Sequence, residues 1–182
     1  MIKSKKKILA LPGSTRNGSA NEGILRTIAA LSAGTADMHI YSGIRELPYF
    51  DPDQDKEEAP AVVATFRRAI EAADGIIICT PEYVFSLPGI LKNALEWTVS
   101  TTLFQNKPVA LIVAAASGEK ALESLLLIMR TFSAKIIPET LLIRGASGKL
   151  DKNGKITDEK LLSEIKNLMA PLEEMMHTNK EA

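Results

Sequence analysis

The sequence predicts an α/β protein in which a parallel sheet of five strands lies between two layers of helices. Two observations carry most of that prediction. Short apolar runs alternate with amphipathic helical patterns from end to end, as parallel neighbours require when each crossover is a helix. The run Ile76-Ile-Ile-Cys79 shows no alternation of apolar and polar residues, which marks a strand covered on both faces. A third observation concerns extent. No internal repeat, low-complexity tract or linker breaks the 182 residues, so residues 1–182 read as a single domain with residues 1–6 and 177–182 frayed.

In order, residues 8–11 read as the first buried strand, and residues 22–31 as a helix with Ile24, Leu25, Ile28 and Leu31 on one face. Residues 38–41 form a short second strand, followed by a loop over 47–55 rich in proline and aspartate. Pro60 suits the N1 position of a helix lined by Val62, Val63, Phe66 and Ile70. Gly75 leads into the third strand, and Pro88 opens a helix with Leu91, Ala94, Leu95 and Thr98 inward. Residues 109–114 are a fourth strand, and residues 119–132 a helix burying Leu122, Leu125, Met129 and Phe132. The fifth strand, 136–143, is interrupted at Pro138, which suits an edge position. After a turn at 151–155, Thr157 caps a last helix whose stripe is Leu161, Leu162, Ile165, Leu168 and Leu172.

Five strands and five helices match the smaller of the two common doubly wound arrangements, a flavodoxin-like three-layer α/β/α sandwich with strand order 2-1-3-4-5. Ligand in that topology sits beyond the carboxyl ends of strands 1 and 3, where FMN is the usual occupant. The loops after those two strands are the unusual ones here. The first, Leu11-Pro-Gly-Ser-Thr-Arg-Asn-Gly-Ser-Ala-Asn21, joins a strand to a helix start, so backbone N–H groups and the helix dipole favour an anion there. Gly13 and Gly18 have Walker spacing, but Ser19 stands where the lysine belongs; the dinucleotide pattern fails at Thr15. A hydroxyl-rich loop with one arginine remains, suited to a terminal monophosphate. The same residues also read as an ordinary helix start, Ser19-x-x-Glu22 being a capping box.

The second loop, Thr80-Pro-Glu-Tyr-Val-Phe-Ser-Leu-Pro-Gly89, puts two aromatics and a carboxylate between a buried strand and a helix. Tyr83 and Phe85 suit the wall of a flat ring, and the prolines fix the backbone beside it. The lesser alternative is an aromatic loop packed on its own core or on a second subunit. Glu82 is placed to accept a hydrogen bond, hold the loop or pair with a neighbouring subunit.

Composition bounds the partners. Lysine plus arginine equals aspartate plus glutamate at 22 each, so no global field favours nucleic acid or an anionic membrane. No apolar run reaches the ~18 residues of a membrane span, and the four-residue run after the basic start is too short for a signal peptide. A single cysteine excludes an internal disulfide and a cysteine metal cluster. A cytoplasmic protein is expected.

The stretch from Pro81 to Trp97, P-E-Y-V-F-S-L-P-G-I-L-K-N-A-L-E-W, closely resembles the P-E-Y-N-x-S-x-P-G-x-L-K-N-A-x-D-W signature of the NAD(P)H-dependent FMN reductases, which include quinone, chromate and azo-dye reductases. G-S-T-R-N-G-S-A-N is similar to the G-S-x-R-x-x-S-x-N phosphate loop of that family. Leu47-Pro-Tyr-Phe-Asp-Pro-Asp53 and Asn153-Gly-Lys-Ile-Thr-Asp-Glu159 look like weaker landmarks of it. The resemblance implies non-covalent FMN. Ser14, Arg16, Ser19, Ala20 and Asn21 would hold its phosphate; Pro81, Glu82, Tyr83, Val84, Phe85 and Ser86 would run along the isoalloxazine; Ser117 and Gly118 would approach from another side. It implies NADPH or NADH as donor, a small-molecule acceptor of the quinone, azo, metal or flavin type, and a homodimer or homotetramer paired through the helix after the second loop. Lys92, Asn93 and Trp97 then read as packing or subunit contacts at least as readily as catalytic residues.

Two departures stand out: Val84 replaces the family's asparagine, and Ala114-Ala-Ala-Ser-Gly-Glu-Lys120 lacks the paired glycines usual after strand 4. Because the cofactor carries such chemistry, no catalytic acid, base or nucleophile and no metal ligand is expected. His39 and His177 read as surface residues, and Cys79 as a small buried one. The alternatives are a flavodoxin-like electron carrier or redox sensor, against which the balanced charge and Arg16 count, and a flavin-free interaction module.

Overall fold

The computed structural model describes residues 5–56 and 59–178. Along them run β1 (Lys6–Pro12), α1 (Ala20–Ser32), β2 (Ala36–Ile40), α2 (Ala61–Ala72), β3 (Gly75–Thr80), α3 (Gly89–Glu96), β4 (Pro108–Ala115), α4 (Glu119–Thr131), β5 (Lys135–Ile136), β6 (Leu141–Arg144) and α5 (Glu159–Thr178). Single 3₁₀ turns at Gly43–Glu46 and Ala146–Lys149 complete the order. Every ladder is parallel, and the strand order is β2-β1-β3-β4-β5 with β6 also on β4. This is the flavodoxin-like sandwich.

The two-residue period of the central strands divides the core in two. Leu9, Leu11, Ile76, Ile78, Leu111 and Val113 face one way, onto Phe66 and Ile70 of α2, Leu91 and Leu95 of α3 and Leu125 and Met129 of α4. Their neighbours Ile8, Ala10, Ile77, Cys79, Ala110 and Ile112 face Ile24 and Ile28 of α1 and Leu161, Ile165 and Leu172 of α5. All six residues of β3 are buried, which is why its sequence does not alternate.

The structure differs from the sequence expectations at several element ends. The expected fifth strand is two short ones, because Pro138 lies between them with no N–H to offer the β4 ladder. Pro60 is the N-cap of α2, one position before N1. Leu31 is 44% exposed, and Ser32 takes the inward place at the end of α1. Asp158 caps α5, its Oδ1 accepting the Leu161 N–H at 2.7 Å, while Thr157 donates to the Lys149 carbonyl. Lys6 pairs with Ala36 in the sheet, and His177 and Thr178 lie within α5; residues 1–4 and 179–182 lie outside the described residues. Among the described residues no helix is long and apolar enough to cross a membrane.

Asn93 and Trp97 serve packing. The Asn93 amide and the Trp97 indole both donate to the Pro48 carbonyl, and Asn93 Oδ1 accepts the Phe50 N–H. The 47–55 loop is thereby pinned to α3, with the Phe50 ring set edge-on to Trp97.

Candidate functional site

The parallel register brings the ends of β1 and β3 together, with Pro12 opposite Cys79. Gly13 then donates its N–H to the Cys79 carbonyl at 2.8 Å, and the chain turns away over Thr80. Ser19 closes the loop as N-cap of α1, its Oγ accepting the Glu22 N–H at 3.2 Å. The reciprocal half of this capping box is shifted by one residue. Glu22 Oε2 accepts from the Gly18 N–H at 2.9 Å, and its Oε1 is paired with Arg26 at 2.6 Å. Arg16 is exposed. Arg45, from the 3₁₀ turn after β2, donates to the Thr15 carbonyl and fixes the loop from behind.

Asn21 does different work from its neighbours. Its side chain is buried, its amide donates to the Ala114 carbonyl at 3.3 Å, and its Oδ1 accepts from the Cys79 thiol at 3.3 Å. It ties the start of α1 to the ends of β3 and β4. Complete burial pushes the Cys79 thiol pKa far above its ordinary value, so Cys79 stays a protonated donor.

The loop after β3 is a tight two-residue hairpin. Tyr83 and Ser86 exchange both backbone hydrogen bonds at 3.0 Å, and the residues between them, Val84 and Phe85, sit at φ of 51° and 55°. Two consecutive positive φ values define a type I′ turn, which asparagine and glycine enter readily and a β-branched residue does not. Val84 is 95% exposed and Phe85 75%. The departure at Val84 thus falls on the position where the family's asparagine would relieve the backbone.

Below the turn, Glu82 is anchored. Its carboxylate accepts four hydrogen bonds: from Ser117 Oγ, and from the N–H groups of Gly118, Lys120 and Ala121. The three amides belong to the N-cap and first turn of α4, so Glu82 is a cap supplied by a different loop. The Ala121 N–H, chief among these donors, holds the Glu82 carboxyl below the usual carboxylate range, against the opposing effect of desolvation. Gly118 is needed as glycine, with a φ of 102° and Leu142 2.7 Å from where a Cβ would lie. The added charges of this loop are engaged locally, Glu119 with Arg144 and Lys120 with Glu123.

A cavity of about 500 Å³ opens between the first loop, Pro81 and Tyr83, the end of β4 and the segments 145–147 and 150–154. Of the residues singled out in the sequence, Ser14, Arg16, Ser19, Ala20, Asn21, Pro81 and Tyr83 line it together. Glu82, Val84, Phe85, Ser86, Ser117 and Gly118 do not; they build the hairpin and the α4 start beside it. The lining not anticipated includes Gly23 and Arg26 on α1, the end of β4 at Ala114 and Ala115, and above all the 145–154 wall. Gly23 packs so closely there that a Cβ on it would lie 2.4 Å from the Gly154 carbonyl oxygen. The available signal was the Asp151-Lys-Asn-Gly turn, in which Asp151 Oδ1 accepts from the N–H groups of Asn153 and Lys155. A second cavity of about 390 Å³ lies across the same loop, toward Tyr41, Ser42 and Arg45, and Ser14, Arg16 and Glu22 border both.

The chemistry on offer is anion binding at one end, by hydroxyls, a guanidinium and a helix start, with a flat aromatic surface at Tyr83. The model of the NADPH-dependent FMN reductase family matches residues 6–148. A quinone reductase of Escherichia coli K12 is 37% identical over 97 residues, 53% of this chain and 52% of that one, so the match spans about half the relative's length. The NADH:(hydroxy)cinnamate reductase subunit CrdA of Vibrio ruber is 33% identical over 86% of this chain and 80% of its own. An NADPH azoreductase of a Bacillus species is 30% identical over 87% and 93%. Among solved structures, the flavoenzyme NAD(P)H:(acceptor) oxidoreductase FerB of Paracoccus denitrificans superposes with a TM-score of 0.80 at 24% identity, covering 96% of this chain and 98% of that one.

Proposed function

The chain belongs to the NADPH-dependent FMN reductase family, and from that premise we propose that it binds FMN non-covalently, takes reducing equivalents from NADPH or NADH and passes them to a small-molecule acceptor of the quinone or azo class. One observation carries this reading. Ser14, Arg16 and Ser19, at the start of α1, share a single cavity with Pro81 and Tyr83 at the end of β3. A phosphate-holding end and a ring-holding end are thus joined in a space large enough for a nucleotide.

When bound, FMN supplies the hydride and electron transfer, which no side chain here needs to perform. The Arg16 guanidinium and the hydroxyls of Ser14 and Ser19 would hold the phosphate, aided by amides of the loop. Pro81 and Tyr83, which line the same cavity, would flank the ring. Glu82 acts through position: it joins the loop that carries Tyr83 to the first turn of α4. A homodimer or homotetramer paired through α3, and a cytoplasmic location, belong to this reading; Val99, 59% exposed just beyond α3, supports pairing on that side.

The test is direct. Purified protein, reconstituted with FMN if colourless, is expected to show a bound-flavin spectrum and to oxidise NADPH or NADH when a benzoquinone is supplied. A yellow protein that oxidises neither nucleotide identifies an electron carrier instead, and a protein that no flavin reconstitutes identifies an interaction module.

A further inference from the structure

The phosphate loop carries an acid of its own. Glu22 stands in the first turn of α1 and borders both cavities. It accepts the Gly18 N–H at 2.9 Å and is paired with Arg26 at 2.6 Å. It therefore occupies one of the loop's donors and neutralises one of the two arginines lining the larger cavity, Arg16 being the other. The Glu22 side chain is 30% exposed and that of Arg26 69%, so both have room to turn outward. A carboxylate in the first turn favours the helix by itself. Opposite an arriving phosphate dianion it is a like charge in hydrogen-bond range of the same amide.

We propose that Glu22 is a built-in competitor of the ligand's phosphate. Resting on the FMN reading above, binding exchanges the Glu22 carboxylate for the phosphate at the Gly18 N–H and turns Arg26 from Glu22 toward the phosphate. Two consequences follow from the geometry. The loop stays formed without ligand, because the carboxylate stands where the anion will sit. Affinity is held below what the loop's donors alone would give, so the flavin exchanges with free flavin instead of remaining locked in.

The experiment compares FMN with riboflavin, which has the same ring and no phosphate, by fluorescence titration of flavin-free wild type, Glu22→Gln and Arg26→Met. Glutamine keeps the length of the side chain and an oxygen for the Gly18 N–H, and removes only the charge. Glu22→Gln is expected to tighten FMN about tenfold, equal to about 1.4 kcal/mol, with riboflavin unchanged. Arg26→Met is expected to weaken FMN severalfold, again with riboflavin unchanged. Unaltered or weaker FMN binding by a Glu22→Gln protein that melts like wild type overturns the proposal, as does an equal gain for both flavins. Should Glu22→Gln fail to fold, equal FMN affinity in Arg26→Met and wild type overturns it alone. If neither flavin binds any of the three proteins, the FMN reading itself falls and this one with it.

Discussion

Gly13 lies directly against Thr80: a Cβ on Gly13 would stand 2.1 Å from the Thr80 hydroxyl oxygen and 2.8 Å from its Cα. The second contact is with backbone, so rotating the Thr80 side chain cannot make room. Thr80 is in turn held, fully buried, with its hydroxyl donating to the Pro81 carbonyl. Gly13→Ala should therefore push the first loop off the end of β3, costing about 1–3 kcal/mol as an overpacked core does. A urea melt of the variant tests this; an unchanged midpoint would show that the two loops are not in contact as described.

The hairpin at Val84 and Phe85 makes the opposite prediction. Both residues adopt the left-handed region, which costs a non-glycine residue roughly 1–2 kcal/mol. The double substitution Val84→Asn with Phe85→Gly supplies the residues a type I′ turn favours, and the urea midpoint should rise by an amount equivalent to roughly 1–2 kcal/mol. Val84→Asn alone should recover part of the gain. Flavin affinity and redox midpoint of Val84→Asn, measured alongside, separate backbone relief from a new contact to the ring. A midpoint that does not rise would mean the turn already accommodates valine.

Arg16 supplies the formal positive charge of the first loop and lines both cavities. Arg16→Ala is expected to weaken FMN by about 1.5–3 kcal/mol, roughly 10- to 150-fold, through loss of a charge-assisted hydrogen bond. Flavin fluorescence titration measures it, and an affinity equal to wild type would move the phosphate away from Arg16.

Glu82 predicts a pH dependence. Its pKa is lowered in the folded protein, chiefly by the Ala121 N–H, with further help from Gly118, Ser117 and Lys120. A lowered folded pKa means the contribution to stability is fully present above the unfolded value, about 4.3 for glutamate. It is lost as pH falls from there through the folded pKa. Thermal melts should show Glu82→Gln less stable than wild type at pH 7, with the gap closing below pH ~4. A gap that stays constant down to the acid transition would remove the carboxylate's charge from the explanation.

The sheet was legible because covered strands announce themselves. Ile76–Cys79 and Val109–Ala114 are unbroken apolar runs, and the helices between them have clear stripes. Element ends were not, since they are decided by contacts remote in sequence. Thr157 and Asp158 are adjacent and both competent to cap; the side chain of Lys149 pairs with Asp158, and its carbonyl takes the Thr157 hydroxyl. At the site, the two loops could be located, but the inward turn of Asn21 could have been read and was not. It lies three and four residues before Ile24 and Leu25, on the buried stripe of α1. The 145–154 wall depends on Gly23 meeting Gly154 across a fold that no local pattern encodes.

Pro138, which splits the last strand into β5 and β6, has a consequence for how molecules of this chain meet one another. Among the described residues no strand lies beyond β5 and β6, so the outer rim on this side is a two-residue and a four-residue piece separated by a residue that cannot donate. An uninterrupted rim would offer a row of free peptide groups on which a second copy could lay a strand. The broken rim denies that template, so association of the sheets edge to edge is discouraged on this side whatever contacts the helices make.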